Sequence, residues 1–488
     1  MPTAVQPHAT RATQPPPSAL PPADNLAPRD VAALAEALTA YHAHFAPLFR
    51  RAEQRHQAAQ YLVGQLLDLE RKSIEPMALA LPDGNVQALQ QFIGLGAWDD
   101  DVVLARHQAL VAETLGDPDT GVLIVDGCDF PKQGRESVGV ARQYCGPLGK
   151  VANCQASVVA CYASARGYTL VDRRLYLPEQ WFGEDYRQRR QRCGVPPATV
   201  FQTRPALASD MIAALHQRGD LPFRWVTADE HFGLNTAFLD RVAGLGLRYF
   251  VEVPQDTRVW LTRPRTAIPA AKPHGRPPRR ERVQPGEPVP VRVEHLAAQL
   301  PADAWQVWTI KEGAKGPLVA EFAFVRAVAV RDALPGPEVW AVLRRRPGDP
   351  RETKVYLSNA PAATTPETLV WLSGMRWPVE SAIQESKGEL GLDHYEVRGW
   401  VGWHHHTTMT LLAHHFLVRL RRQVGGKGTD PHRAAGTPAL AGHVAPPTAR
   451  RRDAPDLARL HPAAESRRLP LAPPPSASPP RRSLEVTL

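Results

Sequence analysis

The chain has 488 residues, enough for two or three domains, and 43% of them are apolar, an ordinary globular share. Five cysteines with no C-x-x-C pair exclude a zinc or disulfide framework, and no run approaches the roughly 20 apolar residues of a membrane span. A net charge of +9 favours an anionic partner such as nucleic acid, although an Arg-heavy coding sequence gives the same surplus.

The N-terminus lacks a positive patch followed by an apolar stretch, so it is not a signal peptide. The chain is expected to be soluble and cytoplasmic, with its cysteines reduced. Its 49 prolines are about twice the usual share and fall mainly in three stretches.

Residues 1–28 are Pro, Ala and Thr without periodicity and are expected to be disordered. From 29 to 118 the pattern is helical. Val31, Leu34, Leu38, Tyr41 and Phe45 recur at helical spacing, as do Tyr61, Leu62 and Leu66, then Val86, Leu89, Phe92 and Ile93. A fourth helix is expected over 99–115. These four helices form either a DNA-binding module or a bundle packed on the rest of the chain.

After Gly116-Asp-Pro118 the period becomes that of strands, expected over 122–125, 155–162 and 169–176. A helix over 205–217, a strand ending at Asp229, a helix over 236–243 and a strand over 248–253 follow. Residues 119–255 therefore predict the first part of an α/β core with a mixed sheet and helices on both faces, as in the ribonuclease H-like fold. Residues 256–362 read as a Pro/Arg-rich loop and a β-rich insertion, with strands over 305–310, 321–330, 339–343 and 354–358. The core resumes over 363–424, where Thr365-Pro366 is an N-cap followed by proline at the first helical position. Residues 425–488 read as a disordered basic tail.

Two acids close apolar strands, in Val122-Leu-Ile-Val-Asp126 and Phe223-Arg-Trp-Val-Thr-Ala-Asp229. A third, Glu380, stands in the spacing R-x3-E-x6-K formed with Arg376 and Lys387. Each alone reads as a solvated turn or helix residue. Together they form a hard-oxygen set suited to paired Mg²⁺, with Mn²⁺ able to substitute, clamping the oxygens of a phosphodiester. Arg376 and Lys387 would then hold phosphate. Pro378 should start the helix, placing Glu380 and Lys387 two turns apart on one face and Arg376 in the preceding turn. Asp129 is expected to stand outside the metal shell.

Other constellations are weaker. The run Trp403-His-His-His406 with His414 and His415 lacks partners for a tetrahedral metal site. These histidines should contact phosphate or pack under tryptophan. Ser137 is no nucleophile elbow, because Arg135 stands where glycine is needed. Gly244-Leu-Gly246 lacks the dinucleotide-binding context.

The chain resembles the DDE-class insertion-sequence transposases, and within them the insertion-sequence family 701 transposases. The resemblance covers roughly residues 86–420. It rests on Gln87-Ala-Leu-Gln-Gln-Phe92 with Trp98-Asp-Asp-Asp101, on Val125-Asp-Gly-Cys-Asp-Phe-Pro-Lys-Gln-Gly134, and on Ser137-Val-Gly-Val-Ala-Arg-Gln-Tyr-Cys-Gly146. It continues through Arg174-Leu-Tyr-Leu-Pro178, Ala228-Asp229 with Gly233, and Glu389-Leu-Gly-Leu-Asp-His-Tyr-Glu-Val-Arg398. By that resemblance Asp126, Asp229 and Glu380 are the metal-binding triad, and Arg376 and Lys387 belong to the Y-x2-R-x3-E-x6-K signature. Ser373 stands at the signature's tyrosine position, which removes one phosphate contact. Lys132, Arg142 and Arg398 join Arg376 and Lys387 as expected DNA contacts.

The activity this implies is Mg²⁺-dependent cutting of double-stranded DNA at element ends and transfer of the 3′-OH into target DNA, by a homodimer. A nuclease of the same fold without strand transfer, or an idle DNA-binding relic acting as a repressor, are the alternatives.

Overall fold

The structure, a computed structural model, describes residues 28–270, 276, 278–311 and 316–425. The ends expected to be disordered lie outside the described residues, apart from Pro28 and Gly425. Five helices come first: α1 (Pro28–Ala43), α2 (Ala52–Leu66), α3 (Ile74–Ala80), α4 (Val86–Gly94) and α5 (Asp100–Leu115). Asn85 accepts a hydrogen bond from the Ala88 N–H to cap α4, and Asp99 accepts from Asp101 and Val102 to cap α5. The sequence pattern does not signal α3, because seven residues including Pro76 are too few to show a period.

The first strands are β1 (Val122–Pro131), β2 (Ala141–Cys145), β3 (Lys150–Ser164) and β4 (Gly167–Tyr176). Then come α6 (Arg187–Arg192), α7 (Arg204–Arg218), β5 (Trp225–Ala228), α8 (Glu230–Gly233), α9 (Thr236–Gly244) and β6 (Arg248–Val253). β2 also escapes the sequence pattern. It is an edge strand with a polar middle, Arg142-Gln-Tyr144, and so has no apolar alternation to read.

β1 is the hub. It pairs parallel with β5, which pairs parallel with β6, and antiparallel with β3 on its other side. The far edge of β3 is shared by β2 at one end and β4 at the other. This is a ribonuclease H-like mixed sheet flanked by helices, as the order of elements predicts.

The remaining strands are β7 (Arg258–Trp260), β8 (Thr266–Ala267), β9 (Arg282–Val283), β10 (Val291–Arg292), β11 (Gln306–Lys311), β12 (Leu318–Arg331), β13 (Leu334–Arg346) and β14 (Asp349–Ser358), with α10 (Val293–Gln299) preceding β11. β8 and β9 form a separate pair. The others do not stand apart as an inserted layer. β14 pairs antiparallel with β6, and β13, β12, β7 and β10 follow in order, with β11 also on β12. The β-rich segment therefore lengthens the core sheet to twelve strands.

Three helices close the described chain: α11 (Pro366–Ser373), α12 (Trp377–Leu390) and α13 (Trp400–Gly425). Alternation along β1 separates the two faces of the sheet. Val122, Ile124, Cys128 and Phe130 pack with Val379 and Ala382 of α12 and Trp403 of α13. Leu123 and Val125 pack with Met211 and Ile212 of α7 and Val242 of α9. Burial on both faces explains why β1 begins as an unbroken apolar run.

The N-terminal helices do not form a free-standing body. Tyr41, Phe45, Tyr61, Leu62, Leu89 and Phe92 share one core with Met409, Leu412 and Phe416 of α13. Each of those α13 side chains contributes about 1.5–3 kcal/mol by burial. α13 is thus sandwiched between the sheet and the N-terminal helices.

Candidate active site

Val125 of β1 lies opposite Ala228 of β5, so Asp126 and Asp229 come next at the same level on neighbouring parallel strands. Asp229 also caps α8, its Oδ1 accepting from the N–H groups of His231 (3.0 Å) and Phe232 (3.4 Å). That short helix lies close on β6. A Cβ at Gly233 would stand 2.0 Å from the Glu252 carbonyl oxygen, so glycine is required there. Asp126 Oδ1 accepts from the Gly127 N–H at 2.7 Å.

α12 supplies the third acid. Arg376 is its N-cap, Pro378 lies in its first turn, and Glu380 stands on the exposed side of the same turn. The Arg376 guanidinium joins the acids, pairing with Glu380 and approaching Asp126 Oδ2 at 3.5 Å. Burial pushes the Asp126 carboxyl up to about 7, and the neighbouring Asp229 adds to the rise while Arg376 opposes it. Although burial opposes its charge, Glu380 and Asp126 hold the Arg376 pKa above its ordinary value, with Glu252 and Asp229 contributing.

Three carboxylates thus gather around one guanidinium. Among the described residues no three His, Cys, Asp or Glu side chains close tightly enough to hold a metal ion. Arg376 stands between Asp126 and Glu380 and pairs with both. The donor set nevertheless fits a hard divalent cation. It offers only carboxylate oxygen, and its negative charge exceeds what one arginine neutralises.

Asp129 is separate from this group. It lies on the opposite face of β1, 3.3 Å from Arg204 of α7, and its Oδ2 accepts from the Gly146 N–H at 3.0 Å. Lys387 faces β1 as its position on α12 predicts, but its ammonium ends on the Asp129 carbonyl oxygen at 2.8 Å instead of standing open for phosphate. Lys132 is likewise engaged. Its ammonium sits 3.5 Å above the Tyr395 ring, and burial lowers its pKa to about 8. Arg142 and Arg398 are exposed, near the far end of β1 and away from Arg376. Ser373 is buried, its hydroxyl donating to the Val370 carbonyl at 2.7 Å.

The histidines lie in a buried interior, not beside a basic groove. His405 stacks on Trp98 at 3.7 Å, and its two ring nitrogens lie 3.0 and 3.1 Å from the Ile93 and Trp98 carbonyls, to one of which the neutral ring donates. His406 meets the Tyr61 hydroxyl at 2.8 Å, and His414 bridges Thr169 and Glu385. All five cysteines are free and buried. Glu252 is a site neighbour that the motif spacing does not reveal, although a lone acid in the apolar strand Tyr249-Phe-Val-Glu-Val253 carries the same signal as Asp126.

The chain matches the family described as DDE superfamily endonuclease over residues 44–317. It belongs to that family. The matched stretch contains Asp126 and Asp229, while Glu380 lies beyond it. The endonuclease is also similar to the "Probable transposase for insertion sequence element IS701" of Microchaete diplosiphon, at 25% identity over 361 residues, which is 71% of this chain and 80% of that protein. Family membership calls for a divalent metal and makes DNA the partner. Among the described residues no helix of this endonuclease is long and apolar enough to cross a membrane.

Proposed function

We propose that this DDE endonuclease is a transposase, which cuts DNA at the ends of its element and joins the exposed 3′-OH to target DNA. The observation that carries the reading is the placement of Asp126 and Asp229 side by side, just past the paired stretch of β1 and β5, with Glu380 tied to Asp126 through Arg376. The similarity to an insertion-sequence transposase supports the same reading.

Asp126, Asp229 and Glu380 would hold Mg²⁺, or Mn²⁺ in its place. When bound, such ions activate the attacking hydroxyl and offset charge on the leaving oxygen. The chain's own residues do the rest. Asp126 and Asp229 are fixed by backbone hydrogen bonds, and so present their oxygens without reorganisation. Arg376 is positioned to exchange its carboxylate partners for a phosphate, since its planar donors suit either. Lys387 anchors α12 to β1 and so sets the depth of Glu380. To contact phosphate it must first leave the Asp129 carbonyl. Arg142 and Arg398 would bind DNA further along the duplex, and Lys132 would hold the Tyr395 loop beside them.

Two element ends must be cut and joined together, so we propose a homodimer on DNA, acting in the cytoplasm where the chromosome lies. The N-terminal helices, 29–118, and the β-rich segment, 256–362, would share the DNA contact. The deciding experiment is a strand-transfer assay with Mg²⁺ and the inverted repeats flanking the gene. Joined product supports a transposase. Cutting without joining would leave a nuclease, and binding without either would leave a repressor.

A further inference from the structure

On the face of the sheet that carries Asp126 and Asp229, charge changes sign beyond β6. Glu252 of β6 lies opposite Tyr356 of β14, and Lys354 of β14 lies opposite Arg344 of β13, all on this face. Lys354 is neutralised by Glu252 at 2.9 Å. Arg344 acts on the Tyr356 side chain, and no carboxylate lies within 4 Å of it among the described residues.

Lys311, the last residue of β11, comes to the same place. The β11–β12 register shifts between Thr309 and Lys311, and such a bulge re-aims a side chain. Ile310 packs so closely on the turn before α12 that a Cβ at Gly374 would stand 2.8 Å from its Cγ2. Lys311 is thereby held with its ammonium 4.2 Å above the ring of Trp377, the residue after Arg376. It feels both the repulsion of Arg344 and the attraction of Glu380. Two half-buried cations therefore repel each other on this face, and Glu380, which attracts Lys311, is already paired with Arg376. Like charges so placed are unfavourable until an anion comes between them.

We propose that Lys311 and Arg344 clamp a backbone phosphate of the DNA strand whose neighbouring phosphodiester enters the Asp126, Asp229 and Glu380 site. This rests on the DNA-cutting reading and adds two positioning residues that the helix signature does not contain. Trp377 sets the direction of the lysine, and the sheet extension sets the distance of both cations from the acids. Phosphate suits the pair because it offers oxygens to a point charge and to a planar fork together.

The test uses the full chain and a duplex carrying the DNA that flanks its own gene. The phosphates of the terminal segment are replaced one at a time by neutral methylphosphonate, and binding is measured against salt concentration. Lys311→Ala and Arg344→Gln should each lower the salt slope by about one unit, while Lys311→Arg keeps it. At one position the methylphosphonate should weaken the wild-type protein and have no further effect on Lys311→Ala, since both remove the same contact. Matching thermal melting of the variants separates this from loss of fold. An unchanged salt slope, or a lysine effect that adds in full to that of every methylphosphonate, overturns the clamp. A wild-type protein that binds this duplex without cutting it would overturn the catalytic reading, yet the same scan would still read the clamp. A protein that does not bind the duplex would overturn both.

Discussion

Two regions of this molecule are dense in ionisable side chains, and they differ in how the charge and hydrogen bonding are settled. Along α13, His405, His406 and His415 face the N-terminal helices and His414 faces β4 and α12; all four are buried and each meets a protein partner. Around Asp126 two carboxylates share one arginine with Asp229 close by, and burial beside Asp229 pushes the Asp126 carboxyl up to about 7. A polar cluster satisfied from within is a way of joining elements. A cluster left with charge in excess is prepared for something from outside. Cluster density alone would have favoured the histidines, whose ring nitrogens already meet protein partners.

The largest test of that comparison is Asp126→Asn. Cleavage of repeat DNA should fall on the order of 10³-fold or more, with melting temperature unchanged or raised, because a carboxylate disfavoured by burial and by Asp229 is removed. Asp129→Asn, three residues along the same strand, should spare cleavage and lower stability by about 1–3 kcal/mol through its pair with Arg204. Equal loss of cleavage in both variants would erase the distinction between the two faces of β1.

His405→Ala should do the reverse of Asp126→Asn. It empties a stack on Trp98 and strands a buried carbonyl, so stability should fall on the order of 3–5 kcal/mol. DNA cleavage per folded molecule, measured below the melting transition, should stay at the wild-type level. A selective loss of cleavage would give the histidines a role in chemistry.

A third test reads the satisfied region by pH. Burial alone would raise the Glu385 carboxyl, but His414 and Arg421 outweigh it and bring the pKa from 4.5 to about 2. A folded-state pKa below the unfolded one contributes stability that is fully present above about pH 4.5 and lost as pH falls towards 2. The shift corresponds to about 3 kcal/mol. Acid unfolding of Glu385→Gln should therefore be flatter than wild type across that window. Parallel curves would mean that the network carries no such linkage.

The smallest effect is expected at Lys387. Replacing it with alanine removes a half-buried charged hydrogen bond to the Asp129 carbonyl and should cost about 1–2 kcal/mol. Cleavage should weaken because α12 loses an anchor, while the Mg²⁺ concentration needed for half-maximal cutting stays the same. A large rise in that concentration would place Lys387 among the residues that shape the metal site.

The sequence by itself determined the order of the main elements and which strands carry the acids, although β1 runs on past Asp126 to Pro131. β1 opens on an apolar run, β5 and β6 are apolar and short, and helix caps such as Asp99 and Thr365 are local signals that survive without tertiary context. The spacing from Arg376 to Lys387 likewise fixed which face of α12 holds Glu380. What tertiary structure decided is who meets whom. The β-rich segment carries the same strand pattern whether it folds apart or pairs with β6, and only the β14–β6 register made it part of one sheet. Lys132 and Lys387 are ordinary candidates for phosphate by residue type, and in the fold their ammonium groups meet a tyrosine ring and a main-chain carbonyl. Lys311 gave no signal at all, since its value comes from a bulge and from a tryptophan far along the chain. Periodicity reports that a face is buried because burial depends on composition, but the partner is set by long-range pairing, which no local pattern encodes.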